Sequence, residues 1–460
     1  MGRPIAILPS IACLVLISGS AFAQCDIERL TPPVGPNGGD FGNRVAFHGE
    51  SILIADRSAA TLCPVVFGCG TGAVYFFQLV AGQWERVQRI LPDDVQAGDF
   101  YGSSMDLRDD RLIVGSSRAD LAGPETGGAY IYDFDGAQWV ETGRIPSPRP
   151  RAFAGFGRQV VIEGGVALVQ QGGTLYVYQE QITGQWVLRD ELVSPDGEGG
   201  YFGGHSNALT DDWLFVGTPF DDSIAVNVGS VYVFRRDGPT DFVFHQKIDA
   251  PDPGRTPRFG SSIATEGNDL FIGGPTADGA FEAEGAVFHF ELVDGLWVLR
   301  QEITHDDHPD RGDYFGSAIS LHGDTLAVSA HLKRTPTTFG VVYVFERGVD
   351  GQWSQRARLI PETLSSPFGV AVATNGRRIV AGAENEGVEG SPLGAAHVFD
   401  LTCYLCPPDL DADGALTVFD FLLFFNLFDD GDAQADFDGD GELTIFDFLA
   451  FQTAFDAGCA

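Results

Sequence analysis

Basic residues are scarce in this chain. Its 460 residues include 28 Lys and Arg against 64 Asp and Glu, so the formal net charge at neutral pH is -36. A field of that sign repels nucleic-acid phosphates, and we therefore expect no nucleic-acid partner. Charged residues amount to only 20% of the chain and apolar residues to 44%. This balance supports a large buried core and argues against disorder.

Long apolar runs are absent beyond the N-terminus. There, Arg3 precedes residues 5–17, which are apolar with two exceptions, and small residues follow at Ala21 and Ala23. This pattern is typical of a secretory signal peptide over residues 1–23. A membrane anchor is the alternative, but the run is too short to span a bilayer. We expect an exported chain with no membrane span, either secreted or associated with a bacterial cell surface.

Cysteine is also rare. There are seven, and Cys13 would leave with the signal peptide. The other six form an even set in an exported chain and are expected to form disulfides. Their spacing alone leaves many pairings open. These six are Cys25, Cys63, Cys69, Cys403, Cys406 and Cys459.

An aromatic residue followed by glycine recurs seven times, at steps of 46 to 60 residues. Each pair follows a polar turn. After it come a short apolar alternation, a second apolar run, a glycine-rich loop, a third apolar run and a strand that often opens with tryptophan. Serines directly after some pairs recur with the unit, and we interpret Ser103, Ser261 and Ser317 as structural. The pairs are Phe41-Gly42, Tyr101-Gly102, Phe156-Gly157, Phe202-Gly203, Phe259-Gly260, Phe315-Gly316 and Phe368-Gly369.

Each unit is typical of four short antiparallel strands, because β-branched and aromatic residues alternate with polar ones. A lone four-stranded sheet leaves two apolar faces uncovered, and radial stacking buries both. Seven units of roughly 50 residues therefore predict a seven-bladed β-propeller. A linear solenoid is the alternative. The tryptophans expected to open fourth strands are Trp84, Trp139, Trp186, Trp297 and Trp353, whereas Trp213 opens a second strand.

The last unit lacks a fourth strand of this kind. Residues 27–32 align instead with the fourth strand at 87–92, so we expect the N-terminal strand to be the outer edge of the seventh blade. That pairing predicts a Cys25–Cys403 disulfide across the seam. In the chain-entropy model it would contribute about 4–5 kcal/mol before strain. Cys63 and Cys69 share a first-blade loop and are predicted to pair.

Over residues 25–402 the repeats resemble the FG-GAP repeats of integrin alpha-chain propellers and of many secreted bacterial proteins. Integrin repeats often carry a calcium loop between the first two strands, but here the link is a tight turn, as at 108–111, that is too short to enclose an ion. Arg311-Gly312-Asp313 matches an adhesion tripeptide. Because Gly-Asp precedes other aromatic-glycine pairs, we interpret it as part of the repeat.

The tail from Pro407 contains 12 Asp, one Glu and no Lys or Arg. Two segments, offset by 27 residues, place acidic residues at loop positions 1, 3, 5 and 12 and glycine at position 6, which is the EF-hand calcium spacing. We predict about two Ca²⁺ ions. The first loop would use Asp409, Asp411, Asp413, Ala415, Thr417 and Asp420, and the second Asp436, Asp438, Asp440, Glu442, Thr444 and Asp447.

Each loop leads into a helical phenylalanine stripe, at Phe421, Phe424 and Phe428 and at Phe448, Phe451 and Phe455. We expect the two stripes to pack on each other as a core, with an exposed binding face as the alternative. Without helices before the loops, residues 407–458 resemble a type I dockerin.

That resemblance implies a cohesin-like or other cell-surface docking partner. Loop positions 10 and 11 are often small and hydroxylated in dockerins, but here they are Val418-Phe419 and Ile445-Phe446. A different docking or sorting partner therefore stays open. Cys406 and Cys459 flank the module, residues 403–460, and are predicted to pair. The overall prediction is a mainly β fold: a seven-bladed β-propeller followed by a small α-helical calcium-loop (dockerin-like) module.

Common catalytic motifs are missing, among them a G-x-S-x-G elbow, an H-E-x-x-H pair and a phosphate loop. Residues 305–308, His-Asp-Asp-His, could hold a metal, but we favour a solvated loop. The sequence therefore favours a secreted calcium-binding scaffold whose propeller binds an unknown protein or glycan. The alternative is a dockerin-bearing, polysaccharide-active enzyme with its site on the propeller face.

Overall fold

The computed structural model describes two parts of the chain. The chain divides into a unit of Asp26–Leu401 and a second unit that contains the C-terminal residues 402–460. The described residues are 26–32, 39–59, 70–197, 202–223, 227–277, 284–305, 312–335, 339–361, 366–388, 391–401, 408, 410, 416–430, 435, 437 and 443–457.

Seven four-stranded antiparallel sheets make up the first unit, so the predicted seven-bladed β-propeller is confirmed. Blade 1 has β2 (Phe41–His48), β3 (Ser51–Asp56), β4 (Ala73–Val80) and β5 (Gln83–Ile90); blade 2 has β6 (Tyr101–Arg108), β7 (Arg111–Ser116), β8 (Gly128–Phe134) and β9 (Trp139–Pro146); blade 3 has β10 (Val160–Glu163), β11 (Val166–Gln171), β12 (Thr174–Glu180) and β13 (Trp186–Leu192); blade 4 has β14 (Asn207–Leu209), β15 (Trp213–Thr218), β16 (Ser230–Arg236) and β17 (Phe242–Asp249).

The remaining blades repeat this order. Blade 5 has β18 (Ser262–Glu266), β19 (Asp269–Gly274), β20 (Ala286–Val293) and β21 (Leu296–Ile303); blade 6 has β22 (Phe315–His322), β23 (Thr325–Arg334), β24 (Phe339–Arg347) and β25 (Trp353–Leu359); blade 7 has β26 (Val372–Thr374), β27 (Arg378–Ala383), β30 (Ala395–Asp400) and β1 (Asp26–Leu30). A hairpin of β28 (Gly387–Val388) and β29 (Ser391–Pro392), which the repeat pattern did not predict, lies between β27 and β30. The second unit has two helices, α1 (Val418–Asp430) and α2 (Ile445–Ala457).

The aromatic residue of each aromatic-glycine pair belongs to the buried core of its blade. All seven are fully buried. Each ring packs on a ring of the third strand in the same blade, with centroids 5.5 to 5.9 Å apart. First strands of neighbouring blades contact one another around the whole ring. The repeated pattern thus places one large aromatic residue against the third strand of every blade.

The glycine of each pair is required by the backbone. All seven have a positive φ, between 69° and 92°, a region that glycine adopts without a steric penalty. At Gly157 a Cβ would lie 2.2 Å from the carbonyl oxygen of Gly128 in blade 2. Glycine therefore allows the backbones of adjacent blades to approach closely.

The seam between the chain ends forms as the sequence predicts. β1 pairs antiparallel with β30, with Glu28 opposite Val398 and Leu30 opposite Ala396. Leu30 is buried against the core that blades 7 and 1 share. Cys25 and Cys403 lie outside the described residues, so the disulfide at this seam stays a prediction.

The fourth strands of several neighbouring blades are joined by a glutamine–tryptophan contact that the repeat pattern did not predict. Gln246 accepts a hydrogen bond from the backbone N–H of Trp297 and donates one to its carbonyl oxygen, both at 3.0 Å. Gln88 and Gln301 hold Trp139 and Trp353 in the same way. At the seam the corresponding residue is Glu28, which accepts from Trp84 N–H at 2.9 Å. The fourth-strand tryptophans thus also mark contacts between blades.

Candidate functional site

Most predicted calcium ligands lie outside the described residues, as do all six cysteines of the predicted disulfides. Thr417, Asp420, Thr444 and Asp447 are described, and they lie at the starts of the two helices. Among the described residues, no three His, Cys, Asp or Glu side chains come together to hold a metal ion. The ligands outside the described part are Asp409, Asp411, Asp413, Ala415, Asp436, Asp438, Asp440 and Glu442.

The four described residues form two matching capping boxes. Thr417 Oγ1 accepts from Phe419 N–H at 3.1 Å, and Asp420 Oδ2 accepts from Thr417 N–H at 2.7 Å. Thr444 and Asp447 repeat this geometry in the second helix, at 3.1 and 2.7 Å. Both carboxylates are buried. The Thr-x-x-Asp spacing thus fixes each helix start and holds the position-12 carboxylate at the end of its predicted loop.

The phenylalanine stripes pack on each other, which confirms the predicted core. Phe424 and Phe451 are fully buried and stack with centroids 4.5 Å apart. Phe421 approaches Phe455 to the same distance, and the other stripe residues join this cluster. The two helices therefore form one core from two repeats.

A second apolar surface on this pair is exposed to solvent. Val418 and Phe419 are 64% and 63% exposed, and Ile445 and Phe446, the same positions of the second repeat, are each 63% exposed. Leu422 and Leu449 extend the surface along both helices. These residues define the exposed helix face. Because the tail contains no Lys or Arg, its charged surroundings are acidic.

In the propeller, a cleft opens where the residues before the aromatic-glycine pairs meet the loops after the second strands of blades 1 to 4. It consists of two adjoining cavities of about 570 and 780 Å³. Phe153, Gly155, Arg158, Gly204 and His205 line both. This cleft is the candidate binding site of the propeller.

Cationic side chains surround the cleft. In blade 1, Arg57 donates to Asp40 at 2.8 Å, so part of this charge is balanced. Arg118 and Arg158 in the lining, and Arg258 beside it, form no ion pair with any carboxylate in the described part of the chain. The cleft therefore has unbalanced positive charge in a strongly acidic protein.

Aromatic rings lie among these arginines. The Arg118 guanidinium lies 4.8 Å from the ring centroid of Phe100 and 5.6 Å from that of Phe153, and Arg258 lies 5.6 Å from Phe220. Phe153 is 66% exposed and has a φ of 61°, which is unusual for a bulky residue. Its N–H donates to the carbonyl oxygen of Glu125 at 2.8 Å. The loop thus holds an apolar ring at the cleft opening.

The imidazole of His205 contributes a titratable group to the cleft. Burial lowers the pKa of His205 from its ordinary value, and the charges of Arg158 and Arg258 lower it further. The side chain is therefore neutral at neutral pH, where it can both donate and accept a hydrogen bond.

Two other features that the sequence singled out are the adhesion-like tripeptide and residues 305–308. Asp313, the last residue of the adhesion-like tripeptide, is buried and pairs with Lys333 at 2.9 Å, which agrees with its interpretation as part of the repeat. The expectation of a solvated loop at 305–308 is wrong for His305. This residue is buried, stacks on Tyr343 at 4.9 Å and lies 3.4 Å from Asp313, because it packs into the sixth blade. Residues 306–308 lie outside the described part.

Comparison with known proteins supports the repeat assignment. The family model described as FG-GAP repeat matches residues 84–132 and 297–345. Each match begins at the tryptophan of a fourth strand and ends in the third strand of the next blade. No curated protein matches the chain, and none of the described helices is long and apolar enough to cross a membrane.

The solved structures to which this chain is similar are distant from it in sequence. A functionally unknown protein from Desulfotomaculum acetoxidans DSM 771 is 13% identical, with a TM-score of 0.44 over 69% of this chain and 85% of that one. U3-55K is 11% identical, with a TM-score of 0.49 over 81% and 98%. The FG-GAP matches and the seven sheets together identify the unit Asp26–Leu401 as a seven-bladed β-propeller with FG-GAP repeats.

Proposed function

We propose that the protein is a secreted, calcium-binding interaction scaffold. Its propeller binds a protein or carbohydrate on the face with the cleft, and its C-terminal unit docks to a cell-surface protein. The observation that carries the propeller part is the cleft itself. It is a solvent-open cavity lined by Arg118 and Arg158, which form no ion pair in the described part of the chain, and by the exposed ring of Phe153. Such convergent polar groups in a concave apolar surface are typical of ligand sites.

The alternative of a polysaccharide-active enzyme is less well supported. Glycoside hydrolysis needs two carboxyl groups on either side of the scissile bond. The cleft lining contains two carboxylates, Asp40 and Asp222. Asp40 pairs with Arg57, and Asp222 accepts the N–H of Asn227. The arginines between these groups suit the recognition of a ligand better than acid–base chemistry.

The binding role of the cleft can be tested on arrays of glycans and peptides. The chain from Gln24 onward should bind a defined ligand class, and Phe153→Ala combined with Arg158→Ala should remove that binding. Both side chains are exposed, so folding should be retained. Val187→Ala with Arg189→Ala, on the outer strand of the same blade, is the matched control. Equal binding by both double variants would contradict a binding role for the cleft.

The calcium proposal rests on the two spaced sets of carboxylates and on the paired capping boxes that follow them. Calorimetric titration of the chain from Gln24 should detect about two Ca²⁺ ions. Asp411→Ala with Asp438→Ala removes a position-3 carboxylate from each loop and should abolish binding. Asp429→Ala with Asp432→Ala removes the same charge outside the ligand positions and should preserve it. Absence of binding at millimolar calcium would contradict the proposal.

The docking proposal rests on the exposed helix face. Its apolar side chains recur at an offset of 27 residues, so two equivalent surfaces are available to a partner. Because the tail lacks basic residues, the complementary partner has an apolar centre and a basic rim. A cohesin-like surface protein of that character is the partner we propose.

A further inference from the structure

The arginines of the cleft differ from most cationic groups of the propeller. Elsewhere Arg and Lys side chains commonly lie against carboxylates, as in the pairs Arg111–Asp133 at 2.7 Å and Lys247–Asp221 at 2.9 Å. With more than twice as many acidic as basic residues, partners are plentiful. Arg118, Arg158 and Arg258 are among the exceptions within the described part, and these three are at or beside one cleft.

Arg158 also departs from the repeat. It follows the glycine of its aromatic-glycine pair, the position that serine occupies in three other blades. There Ser103 donates to the carbonyl oxygen of Gly115, and Ser317 to that of Ser329, both at 3.3 Å. Arg158 is exposed and lines both cavities instead. A structural position has thus been replaced by a cation at the cleft.

The chemistry of these groups defines the kind of ligand. Guanidiniums bind carboxylate, sulfate and phosphate oxygens in pairs of hydrogen bonds. Phe153 and Phe220 add apolar surface for a ring-sized body, and cavities of about 570 and 780 Å³ accept a small molecule. A long polyanion is disfavoured, because the net charge of -36 repels it before it reaches the cleft.

We infer that the cleft binds a small acidic ligand, a ring-sized molecule with one or two oxyanion groups held by Arg118 and Arg158 beside Phe153. A uronic acid disaccharide has this chemistry, as does a sugar phosphate. The inference rests on the proposed ligand-binding role of the propeller face and adds the charge and size of the ligand.

The test is calorimetric titration of the chain from Gln24 with digalacturonate, glucose 6-phosphate and the neutral disaccharide lactose. At least one acidic probe should bind, and lactose should not. Arg118→Ala with Arg158→Ala should weaken binding of the acidic probe at least tenfold. Arg158→Lys should weaken this binding less, because lysine retains the positive charge but lacks the paired N–H donors of the guanidinium. Arg189→Ala, an exposed arginine outside the cleft, should leave affinity unchanged. Higher salt should weaken binding.

Three results would overturn the inference. Binding of lactose as tight as that of the acids would remove the role of charge, and retained affinity in the Arg118/Arg158 double variant would place the site elsewhere. Binding of a triglutamate peptide in preference to both acidic sugars would assign the cleft to a protein partner. In the first and third cases cleft-dependent binding remains and the scaffold proposal stands. A fourth result, no binding by any probe, also overturns the inference, and if the arrays are negative as well, the scaffold proposal fails with it.

Discussion

A chain that begins at Thr31, and therefore lacks β1, should lose more than about 5 kcal/mol of the propeller's free energy of unfolding. Leu30 is 3% exposed in the core shared by blades 7 and 1, and losing such a side chain typically costs 2–5 kcal/mol by itself. The backbone pairing with β30 is lost as well. The uncovered edge of β30 should then promote self-association.

Loss of an ion pair adds to this effect. Arg29 pairs with Glu386, and His397 Nε2 lies 2.7 Å from Glu386 Oε2. Burial opposes ionisation of this carboxyl, but His397 and Arg29 hold the pKa of Glu386 below its ordinary value. Without β1 the buried carboxylate loses its arginine partner, a change that is strongly destabilising in protein interiors.

Urea unfolding followed by tryptophan fluorescence, with sedimentation velocity for self-association, measures both consequences of removing β1. Leu30→Ala in the chain from Gln24 is the graded control and should show an intermediate loss of stability. A peptide of residues 24–32 added in excess should restore part of the loss. An unchanged urea midpoint in the shortened chain would show that β1 does not stabilise the ring.

The propeller could be predicted because its signal is repeated. Seven buried aromatic residues, each followed by a glycine with positive φ, keep the same place in every blade, so weak single motifs support one another. The seam could be predicted for the same reason, since 27–32 align with 87–92. The contact between Gln246 and Trp297 could not, because it joins two blades across 51 residues and depends on strand geometry.

The cleft could not be predicted from the sequence. Arg118, Arg158 and Arg258 occupy different positions of their repeats and come from three different loops, so no spacing connects them. Their significance depends on their forming no ion pair within the described part of the chain, which only the three-dimensional structure reveals. In the tail, by contrast, Thr-x-x-Asp predicts a helix start from local chemistry alone, and the helical spacing of phenylalanines predicts the core that forms.

Asp56→Asn should raise the stability of the propeller at pH 8 by roughly 4 kcal/mol relative to its effect at pH 4. Asp56 ends β3 and is 2% exposed. Burial raises the pKa of its carboxyl to about 7, although hydrogen bonds from Ser58 act in the opposite direction. The shift from 3.8 is about three pKa units, each about 1.4 kcal/mol.

The direction of this pH effect follows from the different pKa of Asp56 in the folded and unfolded chains. Below about pH 4 the carboxyl is protonated in both states, and its contribution to stability is complete. As the pH rises to about 7, only the unfolded chain ionises readily, so this contribution is progressively lost. Asparagine remains neutral, and its oxygen can accept from Ser58 N–H as Asp56 does at 3.1 Å, so the variant should not show this loss.

Unfolding free energies at pH 4, 6 and 8 for both proteins give the difference directly, and subtracting them cancels the titration of the other carboxylates. Asp190→Asn, at an exposed position of β13, is the control for replacing a carboxylate by an amide. A constant difference between Asp56→Asn and the parent at all three pH values would mean that Asp56 has the same pKa in the folded and unfolded chains and is ionised at neutral pH. Arg57, the next residue in the chain, lies at the cleft and would then have a second negative charge beside it in addition to Asp40. The positive charge on the blade 1 side of the cleft would be correspondingly smaller.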